Sequence, residues 1–127
     1  MPIAILDYGM GNLRSVARAI EHVGGTAVVT GDPAQALAAD GLLVPGVGHF
    51  GACVRNLRNL GLDRVVTEFA SSGRPLFAVC VGMQVLFEFG DEHGVVTKGL
   101  GLLPGGVTRL DAPIVPHMGW NVVQPPP

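Results

Sequence analysis

The chain has 127 residues, a common size for one domain, so we expect a single hydrophobic core. Hydrophobic residues make up 48% of it and charged residues only 14%, which indicates a globular protein and argues against a disordered one. Eight basic residues against ten acidic ones give a net charge of -2 without any Lys/Arg cluster, which argues against nucleic-acid binding.

The hydrophobic segments do not indicate a membrane protein. The longest uncharged apolar stretch, 75–87, is shorter than the roughly 20 residues of a spanning helix. The N-terminal apolar run has no basic residues before it and soon reaches Asp7, unlike a secretory signal peptide. We therefore expect a cytoplasmic protein. In that reducing compartment, Cys53 and Cys80 are expected to stay unpaired.

Strand-like and helix-like segments alternate from the N-terminus. Short apolar or β-branched runs predict strands at 3–6, 26–30, 41–44 and 76–79. Apolar residues at helical spacing predict helices over 13–23, 33–39, 50–60 and 62–70, with Asn12 placed to cap the first. This alternation predicts an open, mostly parallel sheet with helices on both faces.

The pattern changes near Cys80 and again after Gly90. Met83, Leu86 and Phe87 predict a helix that begins immediately after Cys80. Beyond Gly90, strand-like pieces at 99–103 and 107–110 flank a predicted turn at 104–106, which suggests an antiparallel extension of the sheet. A further strand is expected in the tail, and no helix is predicted after it to cover the last sheet face. We therefore expect that the chain is truncated.

Cys80 is the strongest candidate for a catalytic residue. It lies between a predicted strand and a predicted helix, in the run Ala78-Val79-Cys80-Val81-Gly82. Small residues two positions before and after a nucleophile are typical of a strained turn that exposes its side chain. The helix start would favour a thiolate, and backbone N–H groups there, including that of Val81, could bind an oxyanion. The alternative is an ordinary buried cysteine, the interpretation we favour for Cys53, which shares the apolar face of its helix.

A glycine-rich loop follows the third predicted strand. In Pro45-Gly46-Val47-Gly48-His49-Phe50, the N–H of Val47 could provide a second oxyanion donor. Gly9 and Gly11 do not form a dinucleotide-binding fingerprint, because Arg14 occupies the place of the third glycine. No histidine pair has metal-ligand spacing, so we expect neither a metal nor another cofactor.

Four segments together resemble the glutaminase subunits of imidazole glycerol phosphate synthase, within the class I glutamine amidotransferase family. They are DYGMGNL at 7–13, PGVGHF at 45–50, CVGMQ at 80–84 and PHMGWN at 116–121. The resemblance spans essentially the whole chain. It implies a flavodoxin-like fold and hydrolysis of L-glutamine to glutamate and ammonia. The ammonia would pass to a (β/α)₈ cyclase partner in histidine biosynthesis.

The resemblance also implies a role for each matching residue. Cys80 would form a thioester with the glutamine side chain. A switchable oxyanion strand would contain Gly46 and Val47. Substrate contacts would fall on Gly48, Gly82, Gln84 and Glu92, although Glu92 could equally be a solvated loop acid. The partner interface would include Asn12, His117, Met118, Gly119, Trp120 and Asn121, with core packing as the alternative for Trp120.

The chain departs from the family pattern in one respect. The family completes its catalytic triad with a His-x-Glu pair near the C-terminus, and no such pair occurs in this sequence. We therefore expect residues 1–127 to be one amidotransferase domain that lacks its last third and is inactive alone. Two alternatives remain open at this point: a stand-alone cysteine hydrolase or thiol sensor of the same fold, and a non-catalytic binding subunit.

Overall fold

The computed structural model describes all residues, 1–127, which form two sheets and five helices. The strands are β1 (Pro2–Leu6), β2 (Thr26–Thr30), β3 (Gly41–Val44), β4 (Leu76–Ala78), β5 (Phe87–Glu92), β6 (Val95–Lys98) and β7 (Leu103–Val107). The helices are α1 (Leu13–His22), α2 (Pro33–Leu37), α3 (Phe50–Asn59), α4 (Leu62–Ser71) and α5 (Val81–Gln84).

The first four strands form a parallel sheet in the order β2-β1-β3-β4. This is the order of flavodoxin-like folds, and it confirms the predicted open parallel sheet. The four predicted strands each agree with the structure to within one residue, while α2 ends two residues before the predicted end. In such sheets, ligands bind beyond the carboxyl ends of the strands.

Alternation along the strands divides the core between the two sheet faces. Leu6 and Val44 point toward α2, α3 and α4 and belong to a cluster of 18 buried residues. Ile5 and Leu43 point to the opposite face, where they pack with Ile20 of α1. Helices therefore lie on both faces, as predicted.

The α1 face is only partly covered. Phe77, within β4, is 66% exposed, and Val79, directly after β4, is 39% exposed. Together with α1 they line an open apolar groove of about 570 Å³.

The second sheet corrects two predictions. The helix after Cys80 ends at Gln84, and Phe87 begins β5, so the helical spacing of Leu86 and Phe87 was misleading. Strand β7 runs through the predicted turn at 104–106. A side chain at Gly106 would collide with the ring of Phe89, at 2.1 Å, so glycine here permits close packing within the sheet.

The topology of this second sheet also differs in part from the expectation. The predicted antiparallel pieces at 99–103 and 107–110 are wrong: the antiparallel pair is β5 and β6, which the sequence did not predict, and β7 pairs with β5 in parallel. No helix or strand follows Val107, so the expected strand in the tail is wrong. None of the helices has the length and apolar character needed to cross a membrane.

Candidate active site

Three loops meet at the carboxyl edge of the parallel sheet, after β1, β3 and β4. The Tyr8 hydroxyl, after β1, donates a hydrogen bond to the carbonyl of Pro45, after β3. A Cβ on Gly46 would lie 2.2 Å from the backbone nitrogen of Gly82, after β4. The backbones of the glycine-rich loop and the elbow therefore touch directly, and only glycine fits between them.

Cys80 occupies the elbow between β4 and α5. Its φ of 57° and ψ of -127° lie in a region that residues with side chains rarely adopt. Such a conformation costs about 1–3 kcal/mol and is found mainly at functional sites. The side chain is exposed, which excludes the alternative of an ordinary buried cysteine.

Among the backbone amides near this elbow, those of Val81 and Val47 have no hydrogen-bond acceptor. Gly82 N–H donates to Val79 O at 3.0 Å and Met83 N–H donates to Cys80 O at 3.0 Å, but Val81 N–H makes no hydrogen bond. Val47 N–H, in the neighbouring loop, is likewise without an acceptor. Both are available to a developing oxyanion. Because α5 has only four residues, these individual amides contribute here rather than the summed dipole of a long helix.

Two buried side chains hold the back of the glycine-rich loop. Cys53 is fully buried, as predicted, and its Sγ donates to Val47 O at 3.3 Å. Tyr8 is 1% exposed and donates to Pro45 O. Neither contact was predicted from the sequence. A tyrosine next to a buried strand was the available signal, since a buried hydroxyl requires a partner.

Glu92 is bound at the start of α3. Its Oε1 accepts from Phe50 N–H at 3.0 Å, and its Oε2 lies 3.0 Å from Nδ1 of His49. Burial acts to raise the pKa of the Glu92 carboxyl, but these hydrogen bonds and the charges of His49 and His93 lower it overall. Glu92 is therefore a partnered group rather than a free loop acid.

Gln84 and Glu92 lie in one cleft. The cleft has a volume of about 520 Å³ and is bordered by polar residues that include His49, His93 and Arg109. Cys80 is not part of its lining. The structure thus brings the two predicted substrate contacts together beside the elbow's helix, while Gly48, with φ of 81°, shapes the loop between β3 and α3.

The predicted interface residues fall into two groups. Asn12 caps α1, where its Oδ1 accepts from Ser15 N–H at 3.2 Å. Residues 117–121 are exposed and lie outside regular elements. Trp120 is completely exposed, so core packing, the alternative for this side chain, is wrong.

Comparison with known proteins adds the family. The sequence model described as "Glutamine amidotransferase class-I" matches residues 4–124, nearly the whole chain. This chain belongs to the class-I glutamine amidotransferase family. A crystal structure of a glutamine amidotransferase superposes with a TM-score of 0.69 at 23% identity, covering 84% of this chain and 56% of that one. That likeness confirms the amidotransferase fold.

Two curated relatives are identical to this chain at more than half of their aligned residues. The chain is 56% identical over 125 residues to the "Imidazole glycerol phosphate synthase subunit HisH" of Mycolicibacterium paratuberculosis. It is 57% identical over 124 residues to the protein of that name from Thermobifida fusca. The alignments cover 98% of this chain but only 61% and 59% of the two relatives.

Proposed function

We propose that these residues are the nucleophile-bearing part of a glutaminase subunit of imidazole glycerol phosphate synthase. The observation that carries the proposal is an exposed cysteine in a strained elbow, beside two backbone amides that have no acceptor. Identity of 56% and 57% to the two named relatives supports the specific reaction.

The first chemical step is attack by the Cys80 thiolate on the carboxamide carbon of L-glutamine. A C–S bond forms, and the carbonyl electron pair moves to oxygen. The N–H groups of Val47 and Val81 would stabilise that oxyanion, since neither donates a hydrogen bond within the protein. Collapse of this intermediate breaks the C–N bond, and with one proton from a general acid the nitrogen leaves as ammonia. The remaining thioester is hydrolysed by water to glutamate and the free thiol.

The cleft beside α5 fits the amino-acid end of glutamine. Gln84 offers an amide for the substrate carboxylate or ammonium, and Glu92 retains its charge because its pKa is lowered. Gly48 and Gly82 would let the substrate approach the backbone closely. Both oxygens of Glu92 already accept hydrogen bonds, so the ammonium would join an existing network.

Expulsion of ammonia requires a proton donor, and thiolate formation requires a base. Cys80 forms no hydrogen bond with any histidine of residues 1–127, and the sequence has no His-x-Glu pair. We therefore predict that this polypeptide alone does not turn over glutamine.

The released ammonia would pass to a (β/α)₈ cyclase subunit in the cytoplasm, as part of histidine biosynthesis. The exposed segment 117–121 and the edge near Asn12 would form the contact surface. Trp120 supports this assignment, since large exposed aromatic side chains are enriched in protein interfaces.

The test is glutamate release from L-glutamine by the full-length protein mixed with the cyclase subunit. We expect Cys80→Ser to abolish release and Val66→Ala, a core change on α4, to retain it. Release that survives in Cys80→Ser would refute the nucleophile. Turnover of other amides or esters without any need for the cyclase would instead favour a stand-alone hydrolase.

Absence of turnover combined with tight cyclase binding would favour a non-catalytic subunit. Iodoacetamide labelling of Cys80 provides an independent check of the exposed thiol. Since Cys53 is fully buried, it serves as the internal control within the native protein.

A further inference from the structure

The peptide groups around Gly46 are held unequally. The Pro45 carbonyl accepts from the Tyr8 hydroxyl, and the Val47 carbonyl accepts from the Cys53 thiol at 3.3 Å. These carbonyls belong to the Pro45–Gly46 and Val47–Gly48 peptides. The Gly46–Val47 peptide between them makes no hydrogen bond through either its carbonyl or its N–H.

We propose that Tyr8 and Cys53 are positioning residues that hold the two outer peptides and leave the Gly46–Val47 peptide free to direct its N–H at the substrate oxyanion. The inference rests on the proposed glutaminase function and adds two residues to it. Neither side chain touches the substrate, because both are buried behind the loop.

Both donors are suited to this task. Tyr8 is 1% exposed and Cys53 is 0% exposed, so water does not compete for the two carbonyls. Burial raises the pKa of both groups, and the neighbouring Cys53 raises that of Tyr8 further. Hydrogen bonding with Tyr8 and Val47 acts to lower the pKa of Cys53, but burial outweighs it, so both groups keep the proton that they donate. Each is also fixed to a regular element, since Cys53 lies within α3 and Asn56 of α3 donates to Tyr8 O at 3.2 Å.

The geometry also explains why the central peptide alone can rotate. When the outer two planes are held, opposite changes in ψ of Gly46 and φ of Val47 turn only the peptide between them. Glycine at 46 tolerates the required range of backbone angles. Removing one outer hydrogen bond would let the neighbouring plane move as well and would misdirect the Val47 N–H.

The kinetic test uses the full-length protein with the cyclase subunit. Loss of an oxyanion donor costs about 10²–10³-fold in kcat, and a misdirected donor should cost at least about 10-fold. We therefore expect Cys53→Ala and Tyr8→Phe to lower kcat about 10-fold or more, with KM changed by less than about 2-fold. Cys53→Ser keeps a donor and should recover most of kcat, and Val66→Ala is the matched core control.

A spectroscopic test does not depend on activity. Residues 1–127 contain three Val–Gly peptides, Val23–Gly24, Val47–Gly48 and Val81–Gly82, which carbonyl-¹³C valine and ¹⁵N-glycine labelling isolates in NMR spectra. Cys53→Ala should move the Val47 carbonyl signal and leave that of Val23 in place. Tyr8→Phe should likewise move the Pro45–Gly46 signal but not that of Pro104–Gly105 in a proline-labelled sample.

The outcomes separate this inference from the proposed function. If the parent hydrolyses glutamine but Cys53→Ala and Tyr8→Phe retain its kcat, the function stands and the positioning role is wrong. An equal loss in Val66→Ala, or a change in KM alone, would also overturn the role. If the parent has no glutaminase activity, the proposed function fails. If the Val47 carbonyl signal is unchanged in Cys53→Ala and the Pro45 carbonyl signal is unchanged in Tyr8→Phe, the two hydrogen bonds to the loop are wrong as well.

Discussion

A methyl group added at Gly82 should damage the site severely. The Cβ of an alanine there would lie 2.2 Å from Val44 O and 2.7 Å from Pro45 O. Ordinary carbon–oxygen contacts begin at about 3.3 Å, so the elbow and the end of β3 would have to separate by about 1 Å. The obstacle is backbone on both sides, which cannot rotate away as a side chain could.

The expected cost follows from what this separation breaks. Val44 O also accepts from Val79 N–H at 3.0 Å, and the loss of one such hydrogen bond costs about 1 kcal/mol. Overpacking adds about 1–3 kcal/mol. We therefore expect Gly82→Ala to lower the free energy of unfolding by about 2–4 kcal/mol.

Urea unfolding of the parent and variant would measure this difference. Gly119→Ala is the control, because nothing lies within 4 Å of its added carbon and its backbone is not strained. That control should change stability by less than about 0.5 kcal/mol. If Gly82→Ala costs less than about 1 kcal/mol and keeps full glutaminase activity, then the close approach of the elbow to the end of β3 is wrong.

Three further predictions concern the elbow, the start of α3 and the start of α1. Cys80→Gly should be more stable than Cys80→Ala by about 1 kcal/mol in thermal unfolding, because glycine relieves the strained φ; the opposite order would show that the elbow is unstrained. Glu92 has a pKa below its unfolded value of about 4.3. Its contribution to folding stability is therefore complete above that pH and is lost as the pH falls through the folded pKa. Glu92→Gln should therefore reduce stability at pH 7 by about 0.5–1 kcal/mol yet approach the parent near pH 2, and a constant difference at all pH values would contradict the reasoning. Asn12→Ala should cost about 1 kcal/mol in urea unfolding through loss of the α1 cap, whereas Asn12→Asp, which keeps an acceptor, should cost much less.

Residues with strong local patterns were predictable from the sequence. The runs around Ile5, Val28, Leu43 and Phe77 are short, apolar and bounded by turn residues, so their strand character does not depend on distant contacts. The elbow at Cys80 was likewise readable, because its small neighbours at Ala78 and Gly82 are adjacent in the chain.

The second sheet could not be predicted in this way. Leu86 and Phe87 continue the helical spacing of α5, yet Phe87 pairs with Leu103 in the sheet. Gly90 and Gly106 look like turn residues, but they lie within β5 and β7. Glycine is needed there because the rings of Phe50 and Phe89 occupy the space that a side chain would fill. Contacts between residues so far apart override local preference.

For the candidate site, the sequence by itself indicated which residue is the proposed nucleophile, which loop lies beside it and where a conformationally permissive glycine is needed. Only the tertiary structure decided what holds that loop. Tyr8 and Cys53 are 37 and 6 residues from the carbonyls they bind, and no local pattern relates a buried hydroxyl or thiol to a particular carbonyl. Hydrogen bonds of this kind depend on where the sheet and α3 place the backbone, which the packed core alone establishes.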